Sequence, residues 1–402
     1  MAAHAGQPRR KPSLDFSLAG LLYALMILFM GLAAVNSQAN LLFAVLGMML
    51  GVLVVTWFVS RTVLRKLEVR RVLPETAVVG EPAMFLYQFT NRKRRLPSFS
   101  VTIAELDAAG AFDRQPQAYL LHAAPGTTAT VPVSLTPVRR GVHHLDRYQI
   151  STSFPFGFIR RAADRRQKDA VLVHPPVAEV DRRLLVRCVS AEQSGSRMRP
   201  RRGGSDEFYG VREFRQGDNP RYICWRRSAR TGELVVREMM HVAPPRLVIV
   251  LDTFLESRTM QAHALVERTI AMAGSLIRRT LGTGLAVGLV AWADGVQTMP
   301  PRRGKRHWRD LMAVLARLPA NTAVRCDKLL EHAAGLLRPG TTPILFTPAD
   351  AAGQRRGDWL VISATDPSTA AMFRFAPTVD FTRCIPADQM PPADVPAAAH
   401  AV

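Results

Sequence analysis

Between Phe16 and Ser60 the chain carries no charged residue, and the apolar run is broken only by the polar NSQAN of residues 36–40. Its halves, FSLAGLLYALMILFMGLAAV and LLFAVLGMMLGVLVVTWFV, each approach the ~20 residues a helix needs to cross a ~30 Å hydrocarbon core. Two buried helices of a soluble core would seldom lack every charge over such a length. A cleavable signal peptide would have an apolar region of ~7–15 residues and no second span behind it. The expectation is a transmembrane helix hairpin over residues 16–60, preceded by a basic N-terminus over residues 1–15. Arg9, Arg10 and Lys11 precede the first span, Arg61, Arg65, Lys66, Arg70 and Arg71 follow the second, and the turn between them has no cation. Positive charge stays on the cytoplasmic side. A two-span protein of the cell inner membrane follows, with both termini and the soluble domains in the cytoplasm.

The rest of the 402 residues exceeds what one core usually organises, so more than one further domain is expected. Lys and Arg number 53 against 32 Asp and Glu, a formal charge of +21, which points to anionic partners. Anionic lipid head groups near the anchor would account for part of it. Cys188, Cys224, Cys326 and Cys384 are widely separated and form no CxxC or His/Cys cluster, so neither a zinc site nor a disulfide framework is indicated.

After the anchor the hydrophobic period becomes two. In AMFLYQFTN the residues Ala83, Phe85, Tyr87 and Phe89 share a face, and FSVTI and ATVPVSL alternate likewise, aligning Val131, Val133 and Leu135. Short strands separated by Pro, Gly and Asn clusters predict an immunoglobulin-like β-sandwich over residues 61–178. The basic RKRR of residues 92–95 reads as a solvated hairpin loop, with a lipid-facing loop as the sharper alternative. The turn FPFG at residues 154–157 reads as a packing corner.

Residues 179–245 are rich in arginine and include QGDNPRYICWRRSARTGELVVREM. Pro220 suits the first turn of a helix and Asp218 or Asn219 its cap, so a helix is predicted to Ala229, ending before Gly232. Tyr222, Trp225 and Ala229 would share one face and pack against a sheet, with ELVVREM as the next strand. That buried spacing argues against base stacking, and no nucleic acid is expected. Asp218 has only Asp206, Glu207 and Glu213 nearby and no His or nucleophile, so no catalytic residue is assigned. The expectation is an Asp–Arg network tying a loop to a helix, or a protein-binding face.

Residues 246–384 alternate strand and helix. RLVIVLD, LAVGLVAW and PILFTP read as buried strands and residues 259–281 as an amphipathic helix, which together predict an α/β domain with a parallel sheet. Asp252 lies at the end of the first strand, where such sheets bind ligands. No GxxxxGK[ST] loop or dinucleotide fingerprint occurs, so no cofactor is expected from nucleotide chemistry. The Pro- and Ala-rich residues 385–402 read as a disordered tail.

The run GSDEFYGVREFRQGDNPRYICWRRSARTGELVVREM resembles the signature of the bacterial family called domain of unknown function 58. The residues carrying the likeness are Tyr209, Arg212, Gly217, Asp218, Arg221, Trp225, Ser228, Ala229 and Arg230. The resemblance implies two N-terminal spans, a sandwich closing on a Pro-Phe-Gly turn, this motif and then a von Willebrand factor A-like domain. Such a domain holds a divalent cation, Mg²⁺ being the plausible ion, on a DxSxS motif. Here the run is DTFLES, with Phe254 and Glu256 in the hydroxyl positions, so Asp252 is the one candidate ligand, with Thr347 and Asp350 as possible helpers. The resemblance also implies a MoxR-type AAA+ ATPase and a membrane transglutaminase-like protein as partners. The function expected is a membrane-anchored, non-enzymatic adaptor in complex assembly or remodelling; the alternative is an anionic lipid or nucleic-acid binding protein.

Overall fold

The computed structural model describes residues 13–108, 110–195, 202–240, 246–322, 324–338, 340–349 and 359–390; of residues 13–14, 189–195, 202–209 and 239–240 it describes the backbone alone. The chain divides into two compact units. One holds the residues up to Val177, Met312–Arg317 and the segment from Phe375 onward, and the other holds Ala178–Leu311 and Leu318–Arg374.

The first unit opens with strand β1 (Ser13–Phe16) and two helices, α1 (Leu18–Ser37) and α2 (Asn40–Val63), long and apolar enough to cross a membrane. Ser17 caps α1, its Oγ accepting from the Gly20 N–H at 3.0 Å. α1 ends at Gln38, which takes left-handed φ 48° and returns its N–H to Ala34, where the sequence placed the hairpin turn. Large apolar side chains such as Leu21, Phe29, Leu41 and Phe58 stand exposed along both helices. An unburied apolar stripe of that size is what a membrane anchor presents. The N-terminal segment departs from a simple basic tail, because Ser13–Phe16 pairs antiparallel with the strand at residues 159–162.

Eight further strands follow: β2 (Leu67–Val72), β3 (Thr76–Val78), β4 (Ala83–Asn91), β5 (Ser98–Glu105), β6 (Gln117–Ala123), β7 (Thr128–Leu135), β8 (Gly141–Thr152) and β9 (Ile159–His174). They form a three-stranded sheet, β2-β4-β7, and a larger one, β1-β9-β8-β5-β6, to which β3 adds in parallel along β9. One core joins the two: Phe85, Tyr87 and Phe89 of β4 with Val101, Ile103, Leu145, Ile150, Val171 and Val173. Each such side chain contributes about 1.5–3 kcal/mol on burial. Val63, Leu64 and Leu67 belong to the same cluster, so the end of α2 is built into the sandwich. Inside it Arg71 pairs with Glu105 at 2.7 Å and with Asp169 at 2.9 Å, Tyr87 donates to Glu105, and the Arg71 guanidinium lies 5.1 Å from the Tyr148 ring centre.

Two expectations for this unit are corrected. RKRR is not wholly solvated: Arg92, Arg94 and Arg95 are exposed, but Lys93 is only 8% exposed. Its Nζ donates to the carbonyls of Thr62, Val63 and Pro97 and to Ser98 Oγ, at 2.8–3.2 Å. The last carbonyls of a helix have no partner within it and carry partial negative charge, so a buried helix end demands such a donor. The second correction concerns the C-terminus. Cys384 is buried in the sandwich core, with Val379 and Phe381 against it, so the segment from Phe375 joins this unit and not the α/β domain. Ile385 is buried and a 3-10 turn follows at Ala387–Gln389, so described residues of the expected tail are ordered; residues 391–402 lie outside the described ones.

The second unit comprises β10 (Glu179–Val180), α3 (Arg182–Gly195), β11 (Arg202–Glu213), α4 (Trp225–Thr231), β12 (Val235–Met240), β13 (Arg246–Leu251), α5 (Met260–Gly282), β14 (Ala286–Trp292), β15 (Val296–Arg302), α6 (Lys305–Arg317), α7 (Cys326–Ala334), β16 (Thr341–Thr347), β17 (Leu360–Ser363), α8 (Pro367–Ala370) and β18 (Phe373–Arg374). The last six residues of α6 count with the first unit. The main sheet has the order β15-β14-β13-β16-β17 and is parallel except for β15, which runs antiparallel at the edge. The expectation of a parallel sheet therefore holds for four strands. β15 follows β14 through a short turn that leaves no room for a crossover, and its VQTMPPR tolerates an edge because two prolines cannot donate to a second neighbour. Leu247–Leu251 of central β13 are fully buried, and α5 covers the sheet with Val266, Ile270, Ala273, Leu276 and Ile277.

Candidate functional site

Strands β11 and β12 pair antiparallel as a separate two-stranded sheet, with α4 in the loop that joins them. The structure breaks the predicted helix in two. Pro220–Tyr222 form a 3-10 turn capped by Asn219, whose Oδ1 accepts from the Arg221 N–H; Ile223 then bridges to Val236, and α4 starts at Trp225. Sheet pairing by Ile223 wins over helix continuation, and it rotates Trp225 away from the face the 3.6-residue period assigned it. Trp225 is 66% exposed and Ala229 is exposed, while Ser228 is buried. The expected buried aromatic face is thus corrected: Ser228 is the residue that faces inward, its Oγ accepting from the Val235 N–H at 2.8 Å.

The loop ahead of α4 is held by charge. Arg212 on β11 grips Asp218 with both terminal nitrogens, each at 2.6 Å, and Asp218 also accepts from the Arg215 N–H at 2.8 Å. The fork and that backbone donor hold the Asp218 carboxyl down at about 2. Gly217 takes φ 104° in the turn that brings Asp218 back to Arg215, a conformation an L side chain resists. Gly232, at φ 76°, ends α4 by returning its N–H to Ser228. Arg212, Gly217, Asp218 and Ser228 therefore shape a rigid loop.

Arg221, Trp225, Arg226, Arg227 and Arg230 are what that loop displays, all exposed. Among the described residues none of these arginines forms an ion pair or a side-chain hydrogen bond. Tyr209 lies on β11, and its side chain, with those of Asp206 and Glu207, falls outside the described residues. A pre-set aromatic ringed by cations can seat an acidic surface or stack on a planar anion.

Asp252 lies apart from this face in the main sheet, directly after β13. Its Oδ1 accepts from the Phe254 N–H and its Oδ2 from the hydroxyl of Thr347, the last residue of β16, both at 3.0 Å. The Arg325 guanidinium stands over the Phe254 ring, 5.5 Å from its centre. Thr253 Oγ1 is buried with no hydrogen-bond partner among the described residues, while Glu256 is exposed; Asp350 lies outside the described residues. A hard divalent cation asks for six or more oxygens, mostly uncommitted. Among the described residues, one carboxylate with both oxygens engaged and two hydroxyls fall short of that set. Asp252 acts as the cap of a strand end.

The family described as "Protein of unknown function DUF58" matches residues 210–340, which run from the last four residues of β11 to the turn before β16. The "Uncharacterized protein YeaD" of Bacillus subtilis (strain 168) is 23% identical over 187 residues, 46% of this chain and 45% of that protein, so the likeness spans less than half of the relative. Among solved structures, the CARDB domain of a Pyrococcus furiosus protein aligns with 27% of this chain and 94% of its own at 13% identity, with a TM-score of 0.19. Spo0M, the sporulation control protein of Bacillus subtilis, aligns with 33% of this chain and 56% of its own at 12% identity, with a TM-score of 0.17.

Proposed function

We propose that this chain is a membrane-anchored interaction protein that uses the α4 face to dock an acidic partner. The observation that carries the reading is Trp225, exposed at the start of α4 among arginines unpaired by any described residue, on a loop fixed by the Arg212–Asp218 fork. Tryptophan and arginine are the residues most enriched among energetic anchors of interfaces, and a pre-ordered loop spares the cost of ordering them on binding. In this reading α1 and α2 span the inner membrane with both soluble units in the cytoplasm, as the flanking cations favour. The main sheet corresponds to a von Willebrand factor A-like domain that has given up its cation. The partner class is a MoxR-type AAA+ ATPase, with a membrane transglutaminase-like protein alongside, and the role is non-enzymatic, in assembly or remodelling.

A second reading has support from the same residue. With Trp225 outward, the argument from burial against base stacking falls, and an exposed indole among arginines suits single-stranded nucleic acid. One experiment separates the two: crosslinked capture of the tagged full-length protein from its own membranes, at low and moderate salt, beside a Trp225→Ala protein. An ATPase and membrane neighbours recovered at both salts with wild type and lost with the variant support the docking reading. Nucleic-acid-associated proteins that vanish as salt rises would replace it with the second. Partner recovery unchanged in Trp225→Ala would mean that the face is not the docking site.

A further inference from the structure

Arg161 on β9 is 8% exposed, yet its Nε is buried without a hydrogen-bond partner, and among the described residues no carboxylate pairs with it. Among the described residues the one charge that acts on its basicity is another cation. Burial first, and then Arg61, hold its basicity below that of an ordinary guanidinium. A buried guanidinium with an orphaned Nε and, among the described residues, no acid to pair with it is an unbalanced arrangement that an anion from outside would complete.

The location identifies the anion. Arg61 occupies the last turn of α2 and lies over the Trp57 ring at 5.8 Å from its centre. At the matching end of α1, Tyr23 stacks on Phe158 with ring centres 4.3 Å apart, and Ser17 Oγ donates to the Gly157 carbonyl at 2.6 Å. The turn at residues 154–158 is thereby fastened to the base of the apolar hairpin. Phe156 on that turn is 54% exposed. Aromatic residues at the end of a span mark the level of the lipid head groups, and arginines beside them meet the phosphates.

We propose that Arg161 and Arg61 bind the phosphate of an anionic phospholipid, while Phe156 enters the same leaflet as a third, non-spanning contact. This rests on the reading of α1 and α2 as membrane spans. The site takes a headgroup phosphate, and the acyl chains lie along the exposed faces of the two helices.

The test uses the full-length protein in a neutral detergent, with thermal unfolding and native mass spectrometry read as phosphatidylglycerol, phosphatidylcholine or inorganic phosphate is added. Phosphatidylglycerol should raise the unfolding temperature and remain bound in preference to phosphatidylcholine. Arg161→Gln should remain folded, unfold no earlier than wild type without lipid, and retain about fivefold less phosphatidylglycerol, the equivalent of ~1 kcal/mol per cation. Inorganic phosphate stabilising as well as the lipid would overturn the lipid assignment. Equal retention of the two lipids, or early unfolding of lipid-free Arg161→Gln with its selectivity intact, would make Arg161 a structural residue. A full chain that stays soluble without detergent would instead sink the spanning reading itself. In a Trp57→Phe background, Phe156→Trp should show emission quenched by bromine-labelled lipid if the turn enters the leaflet; no added quenching removes Phe156 from the proposal.

Discussion

Lys93 donates from Nζ to the carbonyl of Val63 at 3.1 Å, so a lysine from a sandwich loop closes the last turn of the second apolar helix. Ser98 Oγ donates to the same carbonyl at 2.9 Å. With Val63, Leu64 and Leu67 inside the sandwich core, the second apolar helix and the sandwich form one piece rather than two joined by a flexible linker. Movement of that apolar helix would be felt directly in the strands.

Lys93→Met is therefore expected to loosen that joint. The substitution keeps the stem but removes a charged donor from the carbonyls of Thr62, Val63 and Pro97; Val63 keeps Ser98 Oγ and Thr62 keeps the Arg65 N–H, so the loss is that of hydrogen bonds to a charged group, about 1.5–3 kcal/mol. Thermal unfolding of the purified protein should occur several degrees earlier, while Arg94→Met, at an exposed neighbour, should leave it unchanged. Equal behaviour of the two variants would show that the buried cap contributes nothing.

The motif loop should respond to acid in a defined window. Asp218 titrates at about 2 when folded and near its ordinary value when unfolded, so the unfolded chain binds the proton first. Its contribution is complete above the unfolded value and is lost as pH falls through about 2. A carboxyl-carbon NMR titration should place Asp218 well below the other aspartates. Arg212→Lys, which cannot make the two-point grip, should move the midpoint upward; an unmoved midpoint would mean that the fork is not its cause.

Legibility in the sequence followed the strength of the local pattern. The uncharged run gave both apolar helices and the turn at Gln38, and the alternation in AMFLYQFTN matched β4 residue for residue. The long hairpin of β8 and β9 is not legible, because the first half of IRRAADRRQKDAVLVH is so rich in charge that it shows no apolar alternation. Trp225 escapes local reading for a different reason: period and caps point to one helix, and the bridge from Ile223 to Val236 that splits it involves residues thirteen positions apart. Lys93 looked like its neighbours in RKRR until the fold brought the end of α2 to it. What the motif could show locally was the complementarity of Arg212 and Asp218.

The buried ion cluster of the sandwich offers a sharper contrast. Arg71 and Glu105 have fully buried side chains, so Arg71→Met strands a carboxylate and should cost about 3–5 kcal/mol. Adding Glu105→Gln removes that charge, and the double variant should recover a substantial part of the loss in denaturant unfolding. A double variant no more stable than Arg71→Met would mean that packing around the arginine stem, rather than the charge, holds the site.

Gly20 shows how closely the turn of residues 154–158 sits on the apolar hairpin. A β-carbon there would collide with the Phe158 carbonyl oxygen, a backbone atom that accepts from the Ser17 N–H at 3.1 Å and cannot turn aside as a side chain would. Gly20→Ala must therefore push the turn off α1, separating Tyr23 from Phe158, with an overpacking cost of about 1–3 kcal/mol. Gly47→Ala, on α2 where an added carbon meets nothing within 4 Å, is the matched control. Limited proteolysis of the detergent-solubilised protein should cut Gly20→Ala faster between residues 153 and 161 and leave Gly47→Ala like wild type. If both variants resist equally, the turn is held by the sandwich alone, and its contact with the helix makes no contribution to its order.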